Sequence, residues 1–275
     1  MFRELGDTFK RSWQAKVIIV FLIVVAVWWV TMFVRGLTEG TENNLFTVTY
    51  PWAALWGGIW GLVTAHRWGG RRSVLGRSLL SLSIGILLQF VGQAAYSYYI
   101  YVLGIEVPYP SIGDIAYFGT SVFYVYGLVL LAKAVGIRIS LQSIRAQIQA
   151  VLIPVVILVL AYYIFLQGYE FDWSAPFKIF LDFGYPTADA IYVSIAILTF
   201  LLSRKVLGGA MRGPILFLLI ALVVESISDF MFPYQVDRDL WYVGGTNDFT
   251  YLLAYSFMAI ALIQIGVSFQ KLREE

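Results

Sequence analysis

Five carboxylates lie within or at the edge of long apolar segments, where a charged side chain is costly. They are Asp114, Asp189, Glu225, Asp229 and Asp248. At such depth in a membrane protein, a carboxylate needs a partner, a bound cation or a water-filled cavity, and ionisable residues there are functional candidates by default. These five residues are therefore candidate ligand-binding residues.

Three of the five carboxylates are followed by a tyrosine at the third position. The pairs are Asp114/Tyr117, Asp189/Tyr192 and Asp248/Tyr251. Helix capping is the alternative interpretation, because aspartate near a helix N-terminus is favoured by the helix dipole and tyrosine prefers the membrane interface. The spacing alone is a weak signal, since it also occurs in loops, at Asp182/Tyr185 and Asp239/Tyr242.

A polar face is expected inside the bundle. Glu225 and Asp229 are four residues apart and so share one helix face, and Gln89, Gln93 and Tyr96 form a similar stripe. We expect these groups to share one cavity with Asp189 and Tyr192, where Glu225 is either protonated or neutralises a bound cation. The alternative for the glutamines is hydrogen bonding between helices.

The composition predicts the elements that must position these residues. Hydrophobic residues make up 60% of the 275-residue chain and charged residues 13%, against about 45–50% and about 25% in soluble domains. We predict an all-α integral membrane protein, a single domain over residues 1–275 with no soluble domain. Its eight transmembrane helices are expected near 17–34, 48–65, 79–103, 112–134, 149–166, 185–203, 214–232 and 249–268.

The charges predict the orientation. All but three of the 19 basic residues fall at alternate helix ends, the exceptions being Arg35, Lys178 and Arg238. Because basic residues mark the cytoplasmic side, both termini are predicted to be cytoplasmic, in a multi-pass protein of the plasma membrane. Tyr-Pro dipeptides precede three even-numbered helices, at Tyr50, Tyr109 and Tyr185, which predicts a bundle of repeated helix pairs.

Missing residue types exclude several functions. The chain has no cysteine and one histidine, His66, so it lacks the ligands of a multi-histidine zinc hydrolase and the base of a serine–histidine protease. Every lysine lies near a predicted membrane edge or outside it, which excludes a retinal-binding lysine. We expect no catalytic residue, no metal site, no cofactor and no nucleic-acid partner.

The segment Pro110-Ser111-Ile112-Gly113-Asp114-Ile115-Ala116-Tyr117 resembles a Pro-Ser-x-x-Asp-x-x-Tyr signature. That signature belongs to multi-helix membrane sensor regions that precede GGDEF diguanylate cyclase domains. Later segments resemble further signatures of the same regions: Gly184–Asp189, Ser228-Asp229 and Asn247–Tyr255. The resemblance covers roughly residues 80–265 and implies sensing. It does not imply cyclase activity, because no GGDEF domain follows in the sequence.

Three functions remain open. The first is a membrane-embedded sensor or receptor-like module with an outward-facing acidic and aromatic pocket for a small ligand or cation, acting through a cytoplasmic signalling partner. The second is a proton- or cation-coupled secondary transporter, since acids near the midplane are typical of ion pathways. The third is a lipid-modifying membrane enzyme, in which a carboxylate pair would serve as acid and base.

Overall fold

The computed structural model describes residues 2–105, 107–136, 143–163, 169, 171–202, 212–236 and 238–274. These residues form α-helices and connecting turns, without a β-strand. Eight helices are long, and two, α1 and α3, are short. Their bounds are α1 Phe2–Arg11, α2 Trp13–Val34, α3 Thr41–Thr49, α4 Trp52–Arg67, α5 Val74–Ser97, α6 Ile112–Ala134, α7 Ile144–Ala161, α8 Pro176–Leu202, α9 Arg212–Val236 and α10 Thr246–Glu274.

The long apolar helices identify a multi-pass membrane protein. Six of them, α2, α5, α6, α8, α9 and α10, are long and apolar enough to cross a bilayer. A π-helical turn, Tyr98–Leu103, extends α5. Helix α4 has 16 residues, and the apolar stretch of α7 runs over Gln147–Leu160. At about 1.5 Å per residue these two are shorter than the roughly 30 Å apolar core of a bilayer.

Six helices close into a ring in the order α4, α5, α6, α8, α9 and α10. Each packs against the next, and α10 packs in turn against α4. We call the end where α6 and α10 begin the acidic end, and the end where they finish the basic end. The interior of this ring is where polar side chains from separate helices meet.

Two long helices lie outside the ring. Helix α2 packs against α10 and α4, and α7 packs against α8. Both expose apolar side chains, among them Val24 and Val27 on α2 and Val151 and Leu152 on α7. Contiguous apolar surface of this kind is what a lipid bilayer covers.

Two predicted helices differ most from the structure. Helix α8 begins at Pro176, not near 185, so the Tyr185-Pro186 dipeptide lies inside the helix and does not begin it. The early start reflects a polar and aromatic first part, with Lys178 and Asp182, that an apolar-run criterion misses. The segment predicted as one helix near 48–65 is divided at Tyr50-Pro51, between α3 and α4. The last residues of the predicted helix near 149–166 lie outside the described residues.

Glycines allow close approach of the ring helices. A Cβ at Gly57 would lie 2.7 Å from Cβ of Ala259 on α10, and one at Gly61 would collide with Oγ of Ser83 on α5. This is the close packing that small residues four apart produce between membrane helices. On α5, Gly85 and Gly92 allow two tyrosine rings of α6 to pack closely against the helix. These are the rings of Tyr124 and Tyr117, respectively.

Candidate functional site: a buried carboxylate cluster

Three carboxylates lie within electrostatic range of one another inside the ring, and we call them the carboxylate cluster: Asp189 on α8 with Glu225 and Asp229 on α9. Glu225 is 1% exposed and Asp189 2% exposed, whereas Asp229, one turn nearer the acidic end, is partly exposed. Asp189 lies well inside α8, so helix capping does not explain its position.

One carboxylate oxygen of Glu225 accepts a hydrogen bond, and the other forms no regular hydrogen bond with a described residue. The amide Nε2 of Gln89 donates a 2.6 Å hydrogen bond to Oε1 of Glu225, and the Tyr255 hydroxyl donates to Oε1 of Gln89 at 3.2 Å. The Tyr124 hydroxyl is close enough to interact with the Glu225 carboxylate. Neither that hydroxyl nor Oε2 of Glu225 forms a hydrogen bond of normal geometry with a described residue. A buried donor and a buried acceptor thus lie side by side without a regular hydrogen bond between them.

Tyr192 connects the other two carboxylates. Its hydroxyl accepts a 3.1 Å hydrogen bond from Ser226 Oγ and lies within reach of Asp189 and Asp229. The Tyr251 hydroxyl donates to Oδ1 of Asp229 at 2.7 Å. Oδ2 of Asp189 has no partner in the described part of the chain. Phenol donors therefore bind part of the cluster and leave Asp189 with an open acceptor.

Among the described residues, no basic side chain forms an ion pair with the cluster. Arg238, the basic residue that the sequence places nearest, packs on the Tyr234 ring at 4.0 Å from its centroid. Buried anions without a counter-charge are costly, so any bound proton or cation would stabilise this arrangement. The described residues contain no group of three His, Cys, Asp or Glu side chains arranged to hold a metal ion.

Asp114 lies at the start of α6 and has its acceptors filled. The Ser111 backbone N–H and hydroxyl donate to its Oδ2 at 2.6 and 2.9 Å, which is the capping-box arrangement. The Tyr185 hydroxyl donates to Oδ1 at 2.9 Å. Tyr117 sits against Tyr96, with ring centroids 5.3 Å apart, and its hydroxyl has no partner among the described residues.

Asp248 lies at the start of α10 and joins three segments. The Gly244 N–H donates to its Oδ2 at 2.7 Å and the Thr47 hydroxyl at 3.1 Å, while the Tyr50 hydroxyl donates to Oδ1 at 3.1 Å. Of the three Asp-x-x-Tyr aspartates, only Asp189 therefore joins the carboxylate cluster. Asp114 and Asp248 have the geometry expected of helix-capping residues, and Tyr251 reaches the cluster through Asp229.

Both glutamines predicted on α5 are buried within the ring. Gln89 contacts Glu225 directly, as described above, and Gln93 lies beside Tyr255. The sequence reasoning missed Tyr124 and Tyr255 as members of the site. Their signal is helical spacing, because Tyr124 follows Tyr117 by seven residues and Tyr255 follows Tyr251 by four, which places each pair on one face.

Two loop tyrosines at the acidic end form hydrogen bonds outside the carboxylate cluster. The hydroxyls of Tyr109 and Tyr169 donate to the two oxygens of Asp182 at 2.7 and 2.6 Å. The hydrogen bond to Asp182 raises the pKa of Tyr169 to about 12, and burial with the same bond raises the pKa of Tyr109. Hydrogen bonds from Ser174 lower the pKa of Asp172.

Comparison with protein-family models, with curated proteins and with solved structures found no match to this chain. We therefore base its function on the geometry of the described residues.

Proposed function

We propose that the chain is a membrane-embedded sensor or receptor-like module whose input site is the carboxylate cluster. The observation that carries this proposal is the pair of unpaired, buried oxygens, Oδ2 of Asp189 and Oε2 of Glu225. Buried polar atoms are nearly always hydrogen-bonded. Two carboxylate oxygens without a hydrogen bond of normal geometry, in a site with no basic partner among the described residues, favour a positively charged or hydrogen-donating occupant.

Access to the cluster is proposed from the acidic end. Asp229 is its partly exposed member and lies one helical turn outward of Glu225. Toward the basic end the ring is filled mainly by apolar side chains, including Leu79, Leu82, Leu218, Leu222 and Leu262. A polar site that opens toward only one side of a membrane is more typical of a receptor than of a transporter.

The proposed ligand is a small cation or a proton. Phenol rings line the site, and the rings of Tyr124 and Tyr192 meet edge to face with centroids 5.8 Å apart. Aromatic faces beside carboxylates favour ammonium groups through cation–π attraction. A small amine or quaternary ammonium would satisfy both features.

The proposed route for the signal is the ring itself. Helix α10 carries Tyr251 and Tyr255 beside the cluster and continues for 29 residues in total, to Glu274 at the basic end. A ligand shifts such an element only if it binds one arrangement better than another. We propose that occupancy of the cluster changes the packing of α10 against its neighbours, and that a cytoplasmic signalling partner detects the change.

In the proposed membrane arrangement all eight long helices cross the bilayer of the plasma membrane, including the shorter α4 and α7, with both termini in the cytoplasm. The six long apolar helices and the concentration of basic residues at one end support it. The resemblance of the Asp114 segment to the sensor regions that precede GGDEF domains supports the sensing role. The helix-pair repeat remains part of this proposal.

A specific observation favours a secondary transporter as the second candidate. Gln264 lies on α10 in the mainly apolar half of the ring, is 2% exposed, and has no partner for either its amide nitrogen or its oxygen among the described residues. A polar group there would extend a pathway from the cluster toward the basic end. Ion-coupled uptake into proteoliposomes that depends on Glu225 and Gln264 would favour transport over sensing.

Thermal unfolding in detergent micelles tests the proposed site. The ligands are a panel of alkali cations, small primary amines and quaternary ammonium compounds. The double variant Asp189→Asn/Glu225→Gln is compared with Asp172→Asn/Asp239→Asn, which removes two exposed loop carboxylates. We expect at least one compound to raise the unfolding midpoint of the wild type and the loop variant but not of the cluster variant. Equal shifts in all three would contradict the site.

A further inference from the structure

A cavity of about 160 Å³ lies at the basic end of the bundle, away from the carboxylate cluster. It is bounded by the junction of α1 and α2, the last turns of α4 and the end of α10. The lining includes Arg11, Arg67, Trp13, Trp60, Thr64 and Gln270. Water occupies about 30 Å³ per molecule in the liquid, so the cavity has room for a group of several heavy atoms.

Two arginines line the cavity. They are Arg11 and Arg67, and none of the described residues in the wall is acidic. Arg67 forms no ion pair with any described residue. Guanidinium groups bind phosphate through two parallel hydrogen bonds, which gives a geometry that lysine does not provide.

Tryptophans place the cavity at the level of lipid headgroups. The Trp13 ring meets those of Trp56 and Trp60 edge to face, at centroid distances of 5.6 and 5.2 Å. Tryptophan is enriched where membrane meets water. Because Trp13 and Trp60 also line the cavity, its arginines lie at the depth where lipid phosphates are found.

The cavity wall is fixed by contacts between helices. Trp56 Nε1 donates to the Gln14 carbonyl oxygen at 3.1 Å, which ties α4 to the start of α2. On the opposite side, a Cβ at Gly266 would lie 2.8 Å from Thr64 Oγ1, so α10 and α4 are in close contact. The helix segments that carry the two arginines are therefore fixed relative to one another, which lowers the entropy cost of binding.

We infer that this cavity binds a phosphate group through Arg11 and Arg67. Two kinds of molecule carry such a phosphate group: an anionic lipid, in its headgroup at the basic face of the membrane, and a soluble phosphate compound. The inference is independent of the proposed function, because no residue of the carboxylate cluster takes part. Occupancy would hold the start of α2 against α4 and α10.

Thermal unfolding tests the site in two arms. In the first, the protein is reconstituted in nanodiscs of phosphatidylcholine alone or with one-fifth phosphatidylglycerol. In the second, inorganic phosphate or glycerol phosphate is titrated in detergent against chloride at equal ionic strength. The variants are Arg67→Gln and Arg67→Lys. Arg72→Gln is the matched control, since Arg72 is an exposed arginine at the same end but outside the cavity lining.

We expect phosphatidylglycerol to raise the midpoint of the wild type and of Arg72→Gln. Arg67→Gln is expected to bind phosphatidylglycerol at least about tenfold more weakly. Arg67→Lys is expected to be intermediate, because it keeps the positive charge but loses the two parallel donors of the guanidinium. A response to lipid alone assigns the headgroup, and a response to both arms assigns phosphate from either source. Equal responses of Arg67→Gln and Arg72→Gln, or no response in either arm, would overturn the inference.

Discussion

Gln89 on α5 and Glu225 on α9 are joined by a 2.6 Å hydrogen bond across the ring of helices. In the ring order, these two helices face each other and are separated on either side by two others. The Tyr255 hydroxyl on α10 fixes the orientation of the Gln89 amide by donating to its oxygen. One amide therefore connects three helices at the floor of the carboxylate cluster.

The first prediction concerns that amide. Gln89→Leu is expected to lower the free energy of unfolding by about 1 to 2 kcal/mol, because it leaves both Glu225 oxygens without a donor. The measurement is chemical unfolding of the purified protein in mixed micelles. The double variant Gln89→Leu/Glu225→Leu is expected to cost less than the sum of the single changes. Strict additivity would show that the two side chains do not interact.

Gln264 should behave in the opposite way. Its amide is buried and unpartnered among the described residues, so its desolvation cost is not offset by hydrogen bonds. Gln264→Leu is expected to be neutral or to stabilise the protein by up to about 1 kcal/mol, as measured in the same unfolding experiment. A loss as large as that of Gln89→Leu would show that the amide has a partner.

The sequence predicted those features of the site that follow from the spacing of residues along one helix. Glu225 and Asp229 share a face because they are four residues apart. They were expected to share one cavity with Gln89, Gln93, Tyr96, Asp189 and Tyr192. Glu225, Asp229, Asp189, Gln89 and Tyr192 lie near one another in the structure, whereas Tyr96 packs against Tyr117. Sequence reasoning cannot show which helices are neighbours, so the ring order and the hydrogen bond across it could not be predicted.

The Tyr124 ring of α6 packs closely against Gly85 of α5. A Cβ added at Gly85 would lie 2.5 Å from ring atoms of Tyr124, so Gly85→Ala is expected to destabilise the protein by about 1 to 3 kcal/mol. Gly119→Ala is the control, because its Cβ would meet only the end of the Leu88 side chain, at 3.1 Å. The unfolding midpoints of the two variants check this, and equal losses would contradict it.

The capping acids should matter for stability and not for ligand response. Asp114→Ala removes one helix cap and is expected to cost about 1 to 2 kcal/mol. Asp248→Ala should cost more, at least about 2 kcal/mol, because it leaves three donors without an acceptor, one in the turn before α10 and two in or next to α3. Thermal unfolding with and without a stabilising ligand measures both effects. Loss of the ligand shift in a folded Asp114→Ala variant would place Asp114 in the binding site.

The Asp-x-x-Tyr spacing shows where local sequence is ambiguous. The same four-residue pattern caps α6 and α10 but lies deep inside α8, because α8 begins at Pro176 with polar and aromatic residues. A helix-capping site and a ligand-binding site use the same residue types. The two roles can be distinguished only when the residue at which the helix starts is known. Tyr124 and Tyr255 were missed for a related reason, since tyrosines without a nearby acid in sequence resemble the aromatic belt of any membrane protein.

The affinity of a stabilising cation for wild type and Glu225→Gln tests the carboxylate cluster most directly. The ligand is the compound that gives the largest thermal shift in the panel, and its dissociation constant is measured by titration of the protein in nanodiscs. Asp239→Asn, an exposed loop change, is the control. We predict binding at least tenfold weaker in Glu225→Gln, equivalent to about 1.4 kcal/mol, and unchanged in Asp239→Asn. Equal affinity in Glu225→Gln and wild type would contradict the cluster as the input site.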